Sequence, residues 1–551
     1  MKMPSVSHVP KTVERVLCGD GSIGEKGGKI TAENINLAHL PTVAPRSPRT
    51  CFRNFEGEIL QFFSNGERVC VITQFQGVYR AWVWDRQHEW WLALDLQNPR
   101  DGVFLYAHAW RGVRLYLPAF SALIDTETVS VFYTDKPLVS SVSLPPYDEN
   151  LASNNQHMLY FESRDVSYYA VDEYVLVQYD YMGFDQKKTL FLRLAMVDAD
   201  LGSIILEGEG APDLLNARPG SVTLCYDIPS LMGIFADHER LYGFERNRIY
   251  ISAKEGRGIC FTPLAEHDAE HTAVMIELEA EITGGCMYKG SPIFFTDGAA
   301  VRLVEDRELG FRVSVTPTVG VTPQAVTSPA VVGDKICYFS RYGLTLFDGK
   351  EGRVVRADLP TPQGGAAVAD GRFYTFYAAD ENEGALYAYD IASDLLYSLG
   401  SAEQIRVMFA LGGVLIGAAF DEDLEPLLVV FAHWESLPYP ISAIAERGGL
   451  SDVIEKEFES VLHLEEDRSP DGDFSPFLLL MDAALGEGAE LALSLYCDGE
   501  EAPAEHFVLT GPQKRKTHAL ACFPRRCRSY RVSLNGKGDF RVFDIRSRRR
   551  V

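Results

Sequence analysis

The string richest in chemistry is His267-Asp268-Ala269-Glu270-His271. It fits H-x-x-E-H, an inverted zinc-protease pattern. That chemistry needs both histidines on one helical face as metal ligands and the glutamate to polarise a bound water. Here the string stands between Thr262-Pro263 and the strand-like run Val274-Met275-Ile276-Glu277-Leu278. A loop between strands provides no such helix. The string therefore reads as polar surface, with His267, Glu270 and His271 as the metal candidates, and no cofactor is expected.

Glycan cleavage would need two carboxylates about 5–10 Å apart. Asp297, Asp380 and Asp421 are candidates, and nothing in their spacing pairs them. The serine and tryptophan of a sialidase Asp-box are missing around Asp297-Gly298 and Asp348-Gly349, which read as turns. The glycine-rich stretch Gly19 to Lys29 lacks the Gly-Lys-Ser/Thr of a phosphate loop. Asp421-Glu422-Asp423 and Asp471-Gly472-Asp473 lack EF-hand spacing. Trp82, Trp84, Trp90, Trp91 and Trp110 have faces that stack on sugars, but their alternating spacing suits a strand core better. No catalytic residue is assigned, and a non-enzymatic protein is expected.

The elements that must carry these residues are strands. Hydrophobic residues make up 46% of the 551 and aromatics 11%, ample for packed cores and against global disorder. At about 100–200 residues per domain the chain is several units long. Period-2 alternation dominates, as in Arg68 to Ile72, Val113 to Leu117 and Arg372 to Phe376. The best helical pattern is Ser451 to Leu464, and Phe458 to Leu464 within it also reads as a strand. Turn signals at Gly66, Gly112, Arg240, Gly290, Gly333, Gly371 and Gly412 are separated by 46, 128, 50, 43, 38 and 41 residues. Five of these intervals approach the repeat of a four-stranded propeller blade. Aspartates closing strands at Asp85, Asp125, Asp348 and Asp390 read as turn formers.

The fold expected is all-β: a β-propeller of about seven blades with an inserted β domain and a C-terminal β-sandwich. Residues 1–50 read as an extended N-terminal arm, 51–134 and 236–464 as the two parts of the propeller, and 135–235, at the 128-residue interval, as the insertion. Residues 465–551 begin in an acidic linker and continue as six short strands with a basic end.

Charge narrows the partners. The chain has 52 basic and 77 acidic residues, a net −25, which argues against whole-chain nucleic-acid binding. From Gln513 onward thirteen basic residues oppose two acidic ones, a net +11, so the preceding 512 residues carry −36. Pairing of the basic strands with acidic strands of their own domain or of a neighbouring subunit is the first account of this split, and binding of DNA or another polyanion, for which stacking aromatics are sparse there, is the second. The longest apolar run, Val407 to Phe420, is 14 residues, short of the roughly 18 that cross a bilayer. The opening MKMPSVSHVPKTVERV has no apolar stretch of the kind a secretory leader carries. Ten cysteines without a CxxC pair are read as reduced thiols.

Two segments carry a family resemblance. Glu33-Asn34-Ile35-Asn36-Leu37 through Pro41 and Pro45-Arg46-Ser47-Pro48-Arg49 resembles the opening arm of bacteriophage virion β-propeller proteins. Phe523-Pro524-Arg525-Arg526-Cys527-Arg528-Ser529-Tyr530 and Leu534 to Phe540 resemble their closing sandwich strands. The resemblance implies a tail-associated structural protein, made in the host cytoplasm and located in the virion. Its partners would be copies of itself and neighbouring tail proteins. Assembly would run through Asn34, Pro41, Arg46 and Arg49 of the arm and Arg525, Arg526, Arg528, Arg548, Arg549 and Arg550 of the basic end. The alternative is a glycan-binding or glycan-cleaving propeller, tail-spike or lectin-like, with a glycan as partner.

Overall fold

The computed structural model describes, with short gaps, residues 13–15, 29–46, 50–64, 69–100, 108–139, 148–253, 273–357, 367–431, 451–467 and 476–549. The fold is all-β. Among these residues helix is confined to Glu149–Ser153 and short turns such as Pro118–Phe120 and Ala211–Asn216. No helix is long and apolar enough to cross a membrane. The chain divides into two compact units, Phe55–Gly365 and Met1–Asn54 with Ala366–Val551.

Among the described residues the unit Phe55–Gly365 contains five four-stranded antiparallel sheets and one six-stranded sheet. Tight turns join the strands. At Lys289-Gly290 both residues have positive φ, 48° and 72°, which matches the twist of the strands it connects. The central strands are apolar on both faces. Ser291–Thr296 is buried at every position. Phe294 packs with Phe244 and Ile249 of the preceding sheet, while Phe295 packs with Tyr338 and Phe347 of the following one. Consecutive residues of one strand thus fill two different cores, as stacking of sheet upon sheet requires. Aspartates close the turns: Asp348 Oδ1 accepts from the backbone N–H groups of Lys350 and Glu351 at 2.8 and 2.9 Å.

The 128-residue interval is occupied by the six-stranded sheet, whose strands run in the order Leu138–Val139, Thr223–Cys225, Tyr174–Asp180, Lys187–Asp198, Ser203–Glu207, Gln156–Tyr160. Its inner face shares one core with Tyr116 and Leu123 of the sheet before it and Ile234 of the sheet after it. All the buried residues of that core except Tyr116, Leu123 and Phe261 lie within residues 135–235.

In the other unit the N-terminal residues supply strands to sheets built by residues more than 300 positions away. Lys29–Glu33 runs antiparallel to Glu459–Asp467 and meets Leu395–Ser401 through Glu33 and Ser398. The hairpin Ile35–His39 and Thr42–Pro45 joins Phe540–Arg549 through Val43 and Val542. Thr50–Phe52 pairs with Pro426–Val430. The six strands after residue 475 lie in two sheets that bury one core, including Leu479, Met481, Leu493, Val532 and Ile545. The candidate helix at Ser451 to Leu464 is the strands Ser451–Val453 and Glu459–Asp467.

Two of the assembly candidates are engaged inside this unit. Asn34 has φ +56°, the left-handed conformation that asparagine tolerates best among side-chain-bearing residues, and it turns the chain from one sheet towards the other. Its backbone N–H donates to Ser398 O at 3.0 Å and its Nδ2 to Glu459 O at 2.9 Å. Its carbonyl accepts from Arg46 N–H and Ser460 Oγ. Arg46 is buried, donates from Nε to Asn34 Oδ1 at 2.8 Å and lies 4.2 Å over the Phe458 ring. The two residues hold the N-terminal strands to strands formed by residues 395–401 and 459–467 of the same chain.

Asn34→Ala loses the side-chain bonds and strains the left-handed φ, a cost of about 3 kcal/mol. Hydrogen exchange of Lys29–Glu33 and Glu459–Asp467 is expected to speed up roughly 100-fold, with Asn34→Gly intermediate. Exchange equal to wild type in both variants would remove Asn34 as the tie.

Candidate functional site

The site with both ring surface and fixed polar groups is the outer face of the six-stranded sheet. Alternation creates it. In Tyr174–Asp180, Val175, Val177 and Tyr179 turn inward and are buried, leaving Tyr174, Leu176 and Gln178 on the other face. In Lys187–Asp198, Leu192 and Leu194 are buried, and Phe191 and Arg193 face out. Register then aligns one row across four strands: Tyr174 opposite Arg193, Arg193 opposite Glu207, Glu207 opposite Gln156. A bulge between Leu194 and Met196 follows the row immediately.

The row is tied together. Arg193 donates from Nη1 to Asp172 Oδ1 and from Nη2 to Glu207 Oε1, each at 2.7 Å. Gln156 Nε2 donates to Glu207 Oε2 at 2.6 Å. The three charged side chains keep 29–35% of their surface exposed, so the network is fixed yet reachable. The bonds from Gln156 and Arg193 hold the Glu207 carboxyl below its ordinary pKa, and the bond to Glu207 raises Arg193. Beside the row the rings of Tyr174 and Phe191 are parallel within 6°, their centroids 5.3 Å apart. Half-buried Leu176, Ile205 and Met158 extend the apolar surface, and Tyr160 is exposed at its margin.

The underside is hydrogen-bonded. Glu173, between Asp172 and Tyr174, is buried and accepts a hydrogen bond from the Tyr226 hydroxyl. Its carbonyl accepts from Leu194 N–H, and Leu194 O accepts from Asp172 N–H, both at 2.7 Å. Asp172 has φ +72°, so the chain turns there just before the strand that carries Tyr174. Chemically, the face offers ring surface, donors and acceptors. Glu207, at its centre, is held ionised and is not the raised-pKa acid of a glycosidase.

The residues singled out from sequence lie elsewhere. His267, Glu270 and His271 fall outside the described residues, as do Arg49, Arg525, Arg526, Arg550, Asp380 and Asp421. Among the described residues no three His, Cys, Asp or Glu side chains converge as a metal site. Pro41 sits in the hairpin turn after a cis peptide bond. Arg548 and Arg549 belong to a strand paired with Pro476–Leu485, and Arg528 donates its N–H to Asp498 Oδ1 at 2.6 Å. Asp297 is an exposed turn residue 3.7 Å from Arg341. Trp84 is buried, and half-buried Trp82 donates to Thr73 Oγ1 at 2.8 Å. The face itself carries none of the candidates. The register that makes the row is not written in any one strand alone.

No family model matches the chain, and no curated protein matches it. Solved structures do. An exo-β-1,3-galactanase from Phanerochaete chrysosporium with galactose is 9% identical, covering 98% of this chain and all of that one, at TM-score 0.20. The β-propeller domain of Cps50 (Swd1) from Myceliophthora thermophila is 10% identical over 70% of this chain and 99% of that one, at TM-score 0.28. TmCBM61 in complex with β-1,4-galactotriose is 16% identical over 17% of this chain and 65% of that one, at TM-score 0.14. Likenesses this distant carry no argument about function, which has to come from the geometry.

Glu207 has a folded pKa below its unfolded value of about 4.3. Its contribution to stability is therefore complete above that value and is lost as pH falls through the depressed folded one. The stability difference between wild type and Glu207→Gln should stay constant from about pH 8 to pH 5 and shrink below about pH 4 in urea titrations. A difference that widens on acidification would contradict the assignment.

Proposed function

We propose that this chain is a non-enzymatic glycan-binding protein whose ligand lies on the Tyr174–Arg193–Glu207–Gln156 face. The observation that carries the proposal is the alignment, on one reachable surface, of two parallel rings with a hydrogen-bonded polar row. A pyranose has apolar C–H faces and a rim of hydroxyls. Aromatic faces cover the former. Carboxylate, amide and guanidinium groups already held in place meet the latter with little further loss of side-chain entropy.

Within this proposal the stacked four-stranded sheets are blades of a propeller of about seven, and the two C-terminal sheets form a β-sandwich. The stacking of Phe294 and Phe295 into successive cores supports the first, and the shared core of Leu479 and Leu493 the second. The virion reading relied on an arm available to a neighbour. The engagement of Asn34 and Arg46 inside the chain is the reason for preferring the sheet face.

The test is affinity electrophoresis of the full chain through gels containing soluble polysaccharides, followed by calorimetry with oligosaccharides. Wild type should be retarded by at least one glycan. Tyr174→Ala and Phe191→Ala should each weaken binding about 3–10-fold, the worth of one ring contact, with circular dichroism unchanged. Retention that is equal in wild type and both variants would place any glycan site elsewhere. No retention on any glycan would end the proposal.

A further inference from the structure

Resting on that reading, we infer that the face selects neutral glycans and rejects acidic ones. The ligand class follows from how its charges are already committed. Arg193 is the cation of the row, and two carboxylates hold its guanidinium, Asp172 through Nη1 and Glu207 through Nη2. The cluster therefore carries one net negative charge. A uronate or sulfate on a sugar that reaches the remaining N–H donors of the guanidinium stands beside both carboxylates and against the net negative charge of the cluster.

Among the described residues, no other cation on the strands of the sheet makes up the difference. Lys188 lies 3.6 Å from Asp213 and over the Tyr181 ring at 4.4 Å. Lys187 is opposite Asp180, six positions along the strand from Arg193, about 20 Å at strand rise. The chain as a whole adds a field of the same sign, with its net charge of −25.

Hydroxyl groups meet the opposite situation. An ionised carboxylate has about four acceptor positions. Glu207 receives one bond on each oxygen, from Arg193 and Gln156. The positions left over accept from hydroxyl donors in charge-assisted bonds, which are stronger than bonds between neutral groups. A ligand rich in hydroxyls and without charge is what the row and the rings recognise together.

The experiment compares, for the full chain, neutral cello-, xylo-, manno- and galacto-oligosaccharides and dextran with oligogalacturonate and dextran sulfate, at low and high salt. Wild type should bind at least one neutral glycan, unaffected by salt, and bind the acidic glycans at least 10-fold more weakly. The double variant Asp172→Asn with Glu207→Gln keeps the side-chain shapes and leaves Arg193 uncompensated. It should gain salt-sensitive binding of the acidic glycans. If wild type binds acidic and neutral glycans alike, or the double variant leaves the preference unchanged, the inference fails while glycan binding stands. If nothing binds, the proposed function fails and the inference with it.

Discussion

The unit built from both ends of the chain depends on one hydrogen-bonded turn, that of Asn34. A sheet edge with unpaired N–H and C=O groups has to be filled, covered or blunted. Here the edge of Pro426–Val430 is filled by Thr50–Phe52, and Lys29–Glu33 lies between strands that begin at Leu395 and Glu459. These pairings hold only if the chain changes direction after Glu33. A left-handed residue makes that change, and its backbone and side chain bond to Ser398, Glu459, Ser460 and Arg46. Burying Arg46 is tolerable because its charge is met by the Asn34 carbonyl oxygen of the side chain and by the Phe458 ring.

Part of the basic end is engaged inside the same unit. Arg515 pairs with Asp482 at 2.7 Å and lies 4.0 Å over Phe543, Arg546 is 3.2 Å from Asp544, and Arg531 lies 4.3 Å over Tyr496. Ion pairs open to solvent on the arginine side add little stability. The cross-strand contacts of Arg515 and Arg531 favour one register, since a slip of one residue would turn the basic side chains into the apolar core.

How much was legible in the sequence follows from these cases. Strands with one wet face announce themselves by alternation, and so do the six strands after residue 475. The turn aspartates at 348 and 390 also read correctly, the latter accepting from Ala392 N–H and Ser393 Oγ. The N-terminal strands did not, because Ile35, Leu37 and Val43 are few apolar residues among Asn, His and Pro, and what buries them lies more than 300 positions away. Ser451 to Leu464 was ambiguous because a short apolar pattern satisfies both periods. The candidate site was hidden for a related reason. Tyr174, Arg193, Glu207 and Gln156 come from four strands, and only pairing brings them into one row.

That row also shows why ion pairs of little energetic worth can matter to recognition. Two salt bridges with about a third of each side chain exposed add little to folding. Their effect is on geometry. Arg193 pulled from both sides has one position, and Glu207 bonded at both oxygens has one orientation. The backbone beneath is held by Glu173, whose buried carboxyl meets Tyr226 and whose carbonyl meets Leu194. A surface that is already ordered gives up less entropy when a flexible, hydroxylated ligand settles on it, so modest contacts are enough for binding. The same ordering leaves the guanidinium without spare charge. Order and preference for an uncharged ligand thus have a single origin, the two carboxylates that share Arg193.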